Sequence, residues 1–578
     1  MKTFTNEIRI TCNYETIDKK FDIFQIRSSG KYIKRGSRAL DLGLDSIKSI
    51  AFDDGASAFV LLIKHSIKSF ELQDMVGDDL MVKKLDANEL KPYILANLLL
   101  LALSSSDYEN FAFSNLSGKL YLFKSEWITP SRKSFKALNI DIKSFEEDSA
   151  KITCSACTFT LAKAFKSPKI IETYPRYVFS IKGTLKRVFE KDDNSYIRRN
   201  RDGKKADIPF ISFFKDKIKL CKAYLLYMII DKFNETYEGL AEIKLNITEI
   251  ERKIEARKEG PFFDKIVELF IGKTINLVNM DKAPEDEELF NYMSVKIQEM
   301  LPLTNVVTSE KIKSKEMNVV LIHNQEYYKD NDLKDPYASF DRSTPIQCVT
   351  LEDACFKDSD VIYKTVLKEL EIKNEIINER RFLIDNWKVY QHTNIFVFGM
   401  MINNNAYFMN VLPSGEFKLL KKSSAFSFFK EELYSNLERI LYNIKADEKL
   451  IVADDNGNIN IISDSGITSL PGKELFTSES PRSNESKETI LAGVLDINVY
   501  QKEGMIQYSS GPIGKAVNAS IPTAPHIYNV QVKKGKEIMT ELMETLGVQF
   551  VKYNSFTVTP YPFKYLREWV LMNNQPKK

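Results

Sequence analysis

Apolar and polar positions follow different rhythms in different parts of this chain, and the changes of rhythm predict its elements. Over residues 1–165 short alternating runs such as "GKLYLF" and "KITCSACTFTLA" predict strands. One continuous apolar run, "YILANLLLLAL" at 93–103, predicts a buried helix within 88–105 and is too short to span a bilayer. The polar, basic stretch "EKDDNSYIRRNRDGKKA" at 190–206 predicts a solvated loop. Across 210–300 apolar residues recur three to four apart, which predicts helices, "NITEIERKIEARKEG" at 246–260 among them. A Gly-Pro break at 260–261 separates that segment from "FFDKIVELFI", and the acidic run at 281–288 is a further divider.

The rhythm changes again from residue 317. "MNVVLIH" and "PIQCVTL" read as short buried strands, followed by the helix "DSDVIYKTVLKELEIKNEII". This order predicts an α/β domain at about 310–392. "NIFVFGMMINNNAYFMNVLPSGEFKLL" reads as two strands joined by a tight turn, with a third after Gly415. A helix at 424–444, the buried strand "KLIVADDNGNINII", a surface loop at 471–489, more strands and a helix at 534–546 complete the pattern. No internal repeat is present.

At 578 residues the chain exceeds one core, so several domains are expected. Its 43% apolar and 28% charged residues are ordinary for a globular protein. The net charge of +3 neither demands nor excludes nucleic acid, since a basic groove can sit on a near-neutral chain. Six irregularly spaced cysteines read as reduced thiols, and the opening residues lack a signal-peptide core, so a cytoplasmic location is expected.

Isolated motifs offer little. "CSAC" at 154–157 is a lone pair within an alternating strand, which fits packing better than zinc or redox chemistry. Nucleotide-binding loops, HExxH and GxSxG are absent. "ADDNG" at 453–457 sets two carboxylates at a strand end, where Asp, Asn and Gly equally signal a turn. An ordered pair is more telling: Gln347 just inside a strand, then Lys373 on the following helix, with Glu369 one turn before it.

The text "IQCV" followed by Lys373 resembles the MID domain of Argonaute proteins, in which a Gln and a helical Lys hold the guide 5′ phosphate. The closing stretch, with "FVK" at 550–552 and "PYPFKYLR" at 560–567, resembles the end of a PIWI domain. The resemblance covers roughly 315–578. It implies a multidomain α/β fold, with a Rossmann-like MID domain and an RNase H-like PIWI domain after a mixed β/α N-terminal half. The corresponding division is a β-rich domain at 1–165, a helical linker or PAZ-like region at 166–312, a MID-like domain at 313–393 and a PIWI-like domain at 394–578. It further implies a guide-phosphate site of Gln347, Lys373, Lys334 and Lys552, with Lys564 and Arg567 on the nucleic-acid backbone.

PIWI nucleases hold two divalent ions with carboxylates. By the resemblance the three assignable positions are Met401, Asp455 and Arg567, and neither a thioether nor a guanidinium is a useful magnesium ligand. The implied protein is therefore catalytically inactive. It binds a short guide, DNA favoured, and a complementary target, with no cofactor beyond a Mg²⁺ ion at the guide 5′ phosphate. It works in plasmid or phage defence beside a helicase–nuclease such as DdmD, as in the DdmE-like branch of the family. Two other readings stand beside it: a nuclease with a rearranged site of Asp454, Asp455 and Asp496, and a guide-independent nucleic-acid-binding scaffold.

Overall fold

Alternation along Ser134–Phe145 and Ser149–Leu161 makes them a long antiparallel hairpin, joined by Lys119–Phe123 on one side and by Tyr196–Arg199 and Lys2–Cys12 on the other. The computed structural model describes residues 2–28, 47–52, 57–76, 80–103, 112–116, 119–123, 134–145, 149–164, 176–179, 185–188, 194–199, 222–254, 262–280, 284–354, 360–421, 431–444, 449–470, 497–502, 505–510, 514–515, 522–523, 526–546 and 559–573. They divide into two compact units. One comprises Met1–Glu249, Ile467–Val494 and Pro512–Pro525; the other comprises Ile250–Gly466, Leu495–Gly511 and His526–Lys578. The architecture is mixed α/β throughout.

The first unit contains that sheet and a four-stranded antiparallel sheet of Ile47–Phe52, Ser57–Ile63, Phe21–Ser28 and Leu80–Leu85, in that order. The apolar run expected to be a helix is one, Pro92–Leu101. It is apolar on all sides because it is buried on all sides, and Leu95 and Leu98 to Leu101 are fully enclosed. Among the described residues no helix is long and apolar enough to cross a membrane. The "CSAC" stretch lies in strand Ser149–Leu161. Three positions apart on a strand, its two thiols take opposite faces: Cys154 packs beside Leu95 and Ile152, Cys157 beside Phe135 and Phe159.

One element corrects the sequence reading. Residues 241–254, expected to be helical, form the strand Ala241–Ile254. Ile250 and Ile254 fit a helical spacing, but Ile243, Leu245 and Ile247 alternate, and the pairing Lys2↔Glu249 to Cys12↔Ala241 decides the matter. Among the described residues of 166–312 there are strands as well as helices, so this part is not purely helical.

The second unit holds a parallel sheet of β1 (Thr274–Asn279), β2 (Asn305–Ser309), β3 (Met317–Ile322) and β4 (Ile346–Thr350), in the order β2-β1-β3-β4. Its first two strands precede the boundary expected at 313. Helices α1 (Phe262–Phe270), α2 (Pro284–Met300) and α3 (Asp360–Asn374) cover one face, meeting Ile275, Leu277, Val319, Leu321 and Val349. The other face, with Val278, Val320 and Ile346, packs on Ile312, Tyr337 and Phe340. The return from β2 to β3 is a short irregular segment. Buried Asn276 donates to Lys311 O, and buried Asn318 bonds the backbone at Lys313 and Glu316, so the segment's polar groups are met inside the protein.

A second sheet follows. The meander β5 (Phe396–Ile402), β6 (Asn405–Val411) and β7 (Phe417–Lys421) has all three strands expected there. After helix α4 (Glu431–Asn443), strand β8 (Leu450–Asp454) runs antiparallel to β5 and turns into β9 (Ile459–Leu470). The text "KLIVADDNGNINII" is thus a hairpin and not one strand. Strands β10 (Ile497–Lys502), β11 (Met505–Ser510) and β12 (His526–Lys534) form a further antiparallel meander. The helix expected at 534–546 is confined to Met539–Leu542 and a 3₁₀ turn at Met543–Leu546. Helix α4 covers Val397, Phe408 and Ile451, whereas the last helix, α5 (Pro562–Asn573), covers the opposite side, where Phe563 meets Phe398.

Candidate functional site

Strand β4 and helix α3 bring together the two residues singled out in the sequence. Alternation along β4 sends Gln347 to the helical side with Val349, and Ile346 and Cys348 to the other. Helix α3 runs back along the sheet, so its last turn returns to the start of β4. There Lys373 Nζ donates to Gln347 Oε1 at 2.8 Å and to Ile346 O at 2.7 Å. Lys373 is buried. Burial draws its pKa down, while Cys348, Glu568 and Glu369 pull it back. Burial also pushes the Cys348 thiol up to about 12, against the pull of Lys373.

Two further lysines bear on this region: Lys564, whose charge acts on Lys373, and Lys368 on α3, which shares Glu369 and Lys564 as charged neighbours with it. Lys564, at the start of α5, donates to Glu369 at 3.0 Å and to Glu568 at 2.8 Å. Burial works to lower its pKa, but the two carboxylates outweigh that and hold it above the usual value. Its charge is balanced within the protein, unlike the expected backbone contact. The sequence reading did not single out Lys368. It is only 7% exposed, and no hydrogen bond or ion pair joins its ammonium to another described residue. Burial lowers its pKa to about 8, with Lys564 adding to that and Glu369 opposing it. The sequence holds no signal for it: Lys368 falls on the side of α3 away from the apolar stripe of Val366, Leu367 and Leu370, where a lysine reads as solvated.

The other expected residues are arranged differently. Lys334 is exposed, and no bond among the described residues ties it to Gln347 or Lys373. Tyr337 beside it is half-buried against Phe340; burial and the neighbouring Cys348 raise its pKa. Lys552 and Asp496 lie outside the described residues. The carboxylates near the lysine cluster do not suit a magnesium ion, which needs several oxygen donors: Glu369 and Glu568 are both engaged by Lys564, and Gln347 Oε1 by Lys373.

Met401, Asp455 and Arg567 do not form one site. Asp455 N bonds Ile395 O at the start of β5, whereas Met401 N bonds Lys449 O near its other end. Six residues of strand separate them, about 20 Å. Met401 also packs on the α4 side of the sheet, while Arg567 is half-buried on α5, which covers the opposite side. The "ADDNG" stretch is a turn: Asp454, buried, accepts from Asn458 N at 2.9 Å and Asn458 Nδ2 at 2.7 Å. Asp455 is exposed.

No family model and no curated protein matches the sequence. Among solved structures, the chain is similar to Marinitoga piezophila Argonaute in complex with a 5′-OH guide RNA and target DNA, at 10% identity and a TM-score of 0.44 over 98% of each chain. The same protein with 5′-OH guide RNA alone gives 10% identity and 0.41, again over 98% of each chain. Drosophila Piwi gives 10% identity and 0.37, over 99% of this chain and 97% of that one.

Proposed function

We propose that this protein binds a short nucleic-acid guide by its 5′ end at Gln347, Lys373 and Lys368 and pairs it with a complementary strand. The observation that supports this reading most is the convergence of a strand amide and a helical ammonium at 2.8 Å, with a buried lysine on the same helix that has no bonded partner among the described residues. A buried ammonium is costly unless an anion answers it, and a terminal phosphate offers several oxygens to do so. Gln347 would turn its amide from Lys373 to donate to that phosphate. In this reading the protein holds nucleic acid without cutting it, with base pairing supplying sequence choice. A separate helicase–nuclease then acts on the bound plasmid or phage DNA.

The test compares 5′-phosphorylated with 5′-hydroxyl oligonucleotides on the full chain. Preference for the phosphate, lost about tenfold or more in Gln347→Ala and Lys373→Met, is the expected result. Equal binding of both ends, unmoved by either substitution, would reject end recognition. One observation favours the scaffold reading instead: Lys373 and Lys564 already have partners within the protein. The same comparison separates the two. Co-purification of a helicase–nuclease, and its loss on deleting the guide, tests the effector role.

A further inference from the structure

A second cationic cavity, of about 710 Å³, lies within the same unit between the β2–β3 return, the loop before β4, the end of α3 and the end of α5. Its walls include Lys315, Arg342, Arg380 and Trp569. The carboxylate lining it, Asp341, is turned to local use: it accepts from Ser343 N at 3.0 Å, Ser343 Oγ at 2.7 Å and Thr344 Oγ1 at 3.0 Å. Arg342 is anchored by donating to Asn573 O at 2.7 Å, the exposed end of α5. The side-chain cations of Lys315 and Arg380 have no bonded partner among the described residues.

Backbone conformation adds a separate observation. Lys315 and Arg380 both have left-handed backbones, at φ 63° and 54°. Neither is a residue for which that region is cheap. Each is held there from outside. Lys315 N donates to Thr344 Oγ1 and its carbonyl accepts from Asn378 Nδ2 at 3.1 Å. Arg380 N donates to Glu375 O at 2.8 Å, and its carbonyl accepts from Phe417 N at 2.8 Å. At Arg380 this is the left-handed cap that ends the helical turn Glu375–Glu379, and it fixes where the guanidinium stem leaves the backbone at the cavity wall. The third element is aromatic. Trp569 is half-buried, packed edge-on against Tyr407 at 5.9 Å, and still lines the cavity.

We infer that this cavity is a nucleotide site, with the phosphate held by Lys315 and Arg380 and the base against Trp569. Guanidinium and ammonium groups suit phosphate oxygens, and an indole suits a base. The volume is within the range of small-ligand pockets. The inference does not require the end-recognition site at Gln347 and Lys373. The nucleotide can be free in solution or belong to a bound strand, and the two sources differ in the test.

The test uses the full chain and its tryptophan fluorescence. Of the three tryptophans, Trp387 is fully buried and Trp127 lies outside the described residues, so a change on ligand addition is assigned to Trp569 by its absence in Trp569→Phe. Inorganic phosphate, 5′-AMP and a short 5′-phosphorylated oligonucleotide are titrated separately. Expected is a saturable change with 5′-AMP, stronger than with phosphate, and weakened about tenfold or more in Arg380→Ala and Lys315→Ala. A response to the oligonucleotide alone that is still lost in Arg380→Ala would assign the cavity to a bound strand. A fluorescence change that Arg380→Ala and Lys315→Ala both leave intact would overturn the inference without touching end recognition. No response to any of the three probes would overturn it as well. Circular dichroism of each variant excludes loss of fold as the cause.

Discussion

Tyr565 donates its hydroxyl to Glu375 Oε2 at 2.8 Å, between two residues with no solvent exposure and 190 positions apart. The other carboxyl oxygen accepts from Ile384 N at 2.7 Å. The bond ties the end of α3 to α5, so the two sheets of the second unit share a buried acid. Burial, assisted by nearby Glu371, raises the Glu375 pKa from 4.5 to about 8, and the bonds from Leu383, Tyr565 and Ile384 only partly offset this.

The sign of the resulting pH dependence is fixed. The folded state binds the proton more tightly than the unfolded chain, so the contribution to stability is full below pH 4.5 and lost as pH rises through about 8. We expect the melting temperature to fall over that window and Glu375→Gln to flatten the fall. Glutamine keeps an acceptor for Ile384 N and cannot ionise. Thermal unfolding at pH 5, 6, 7 and 8 checks this; parallel profiles for wild type and variant would rule it out.

Lys368 predicts a second pH effect, of binding and not of stability. Its ammonium is charged below about pH 8 and neutral above. A phosphate monoester is already a dianion by neutral pH, so the ligand's charge stays nearly constant above that point. Affinity for a 5′-phosphorylated oligonucleotide should therefore drop about tenfold between pH 7 and 9. Lys368→Arg stays charged and should hold its affinity across the range. Identical pH profiles for the two proteins would remove Lys368 from the site.

Much of the second unit was legible from its text because short apolar runs there are bounded by turn residues. The meander of β5 to β7 followed from spacing, and the pairing of Gln347 with Lys373 from the resemblance of "IQCV" and its helix to a MID domain. Other parts were hidden for physical reasons. Ala241–Ile254 fits helix and strand periods at once, and only partners distant in sequence decide between them. Lys368 was missed because a single lysine on a helix is usually solvated, and its burial depends on how α3 packs. The expected grouping of Met401, Asp455 and Arg567 assumed that matching text implies matching neighbours. The antiparallel course of β8 carries Asp455 to the other end of β5.

Gly399, in the middle of β5, has a packing role. A methyl group placed there would come within 2.6 Å of Ile451 Cγ2 and 2.9 Å of the Phe408 ring. Gly399→Ala should cost about 1–3 kcal/mol through overpacking of the layer under α4. Ile451→Ala removes the clashing methyl. In a double-mutant cycle by urea unfolding, the pair should lose less stability than the two single changes added together. Strict additivity would show that the contact does not limit this position.

Restoring a carboxylate at Met401 should not restore cutting. Two-metal hydrolysis needs ligands around ions about 4 Å apart. Met401→Asp would place its carboxylate six residues along β5 from Asp455, about 20 Å away by strand rise. Arg567→Asp would add a third on α5, which packs on the sheet face opposite the α4 side that Met401 occupies. We therefore expect wild type, Met401→Asp and the Met401→Asp/Arg567→Asp double variant all to leave a guide-paired target intact in Mg²⁺ or Mn²⁺. Wild-type cleavage lost on Asp455→Ala would establish the rearranged nuclease instead. Cleavage gained only in the double variant would mean that these positions meet in the working protein, against the arrangement of β5, β8 and α5 described above.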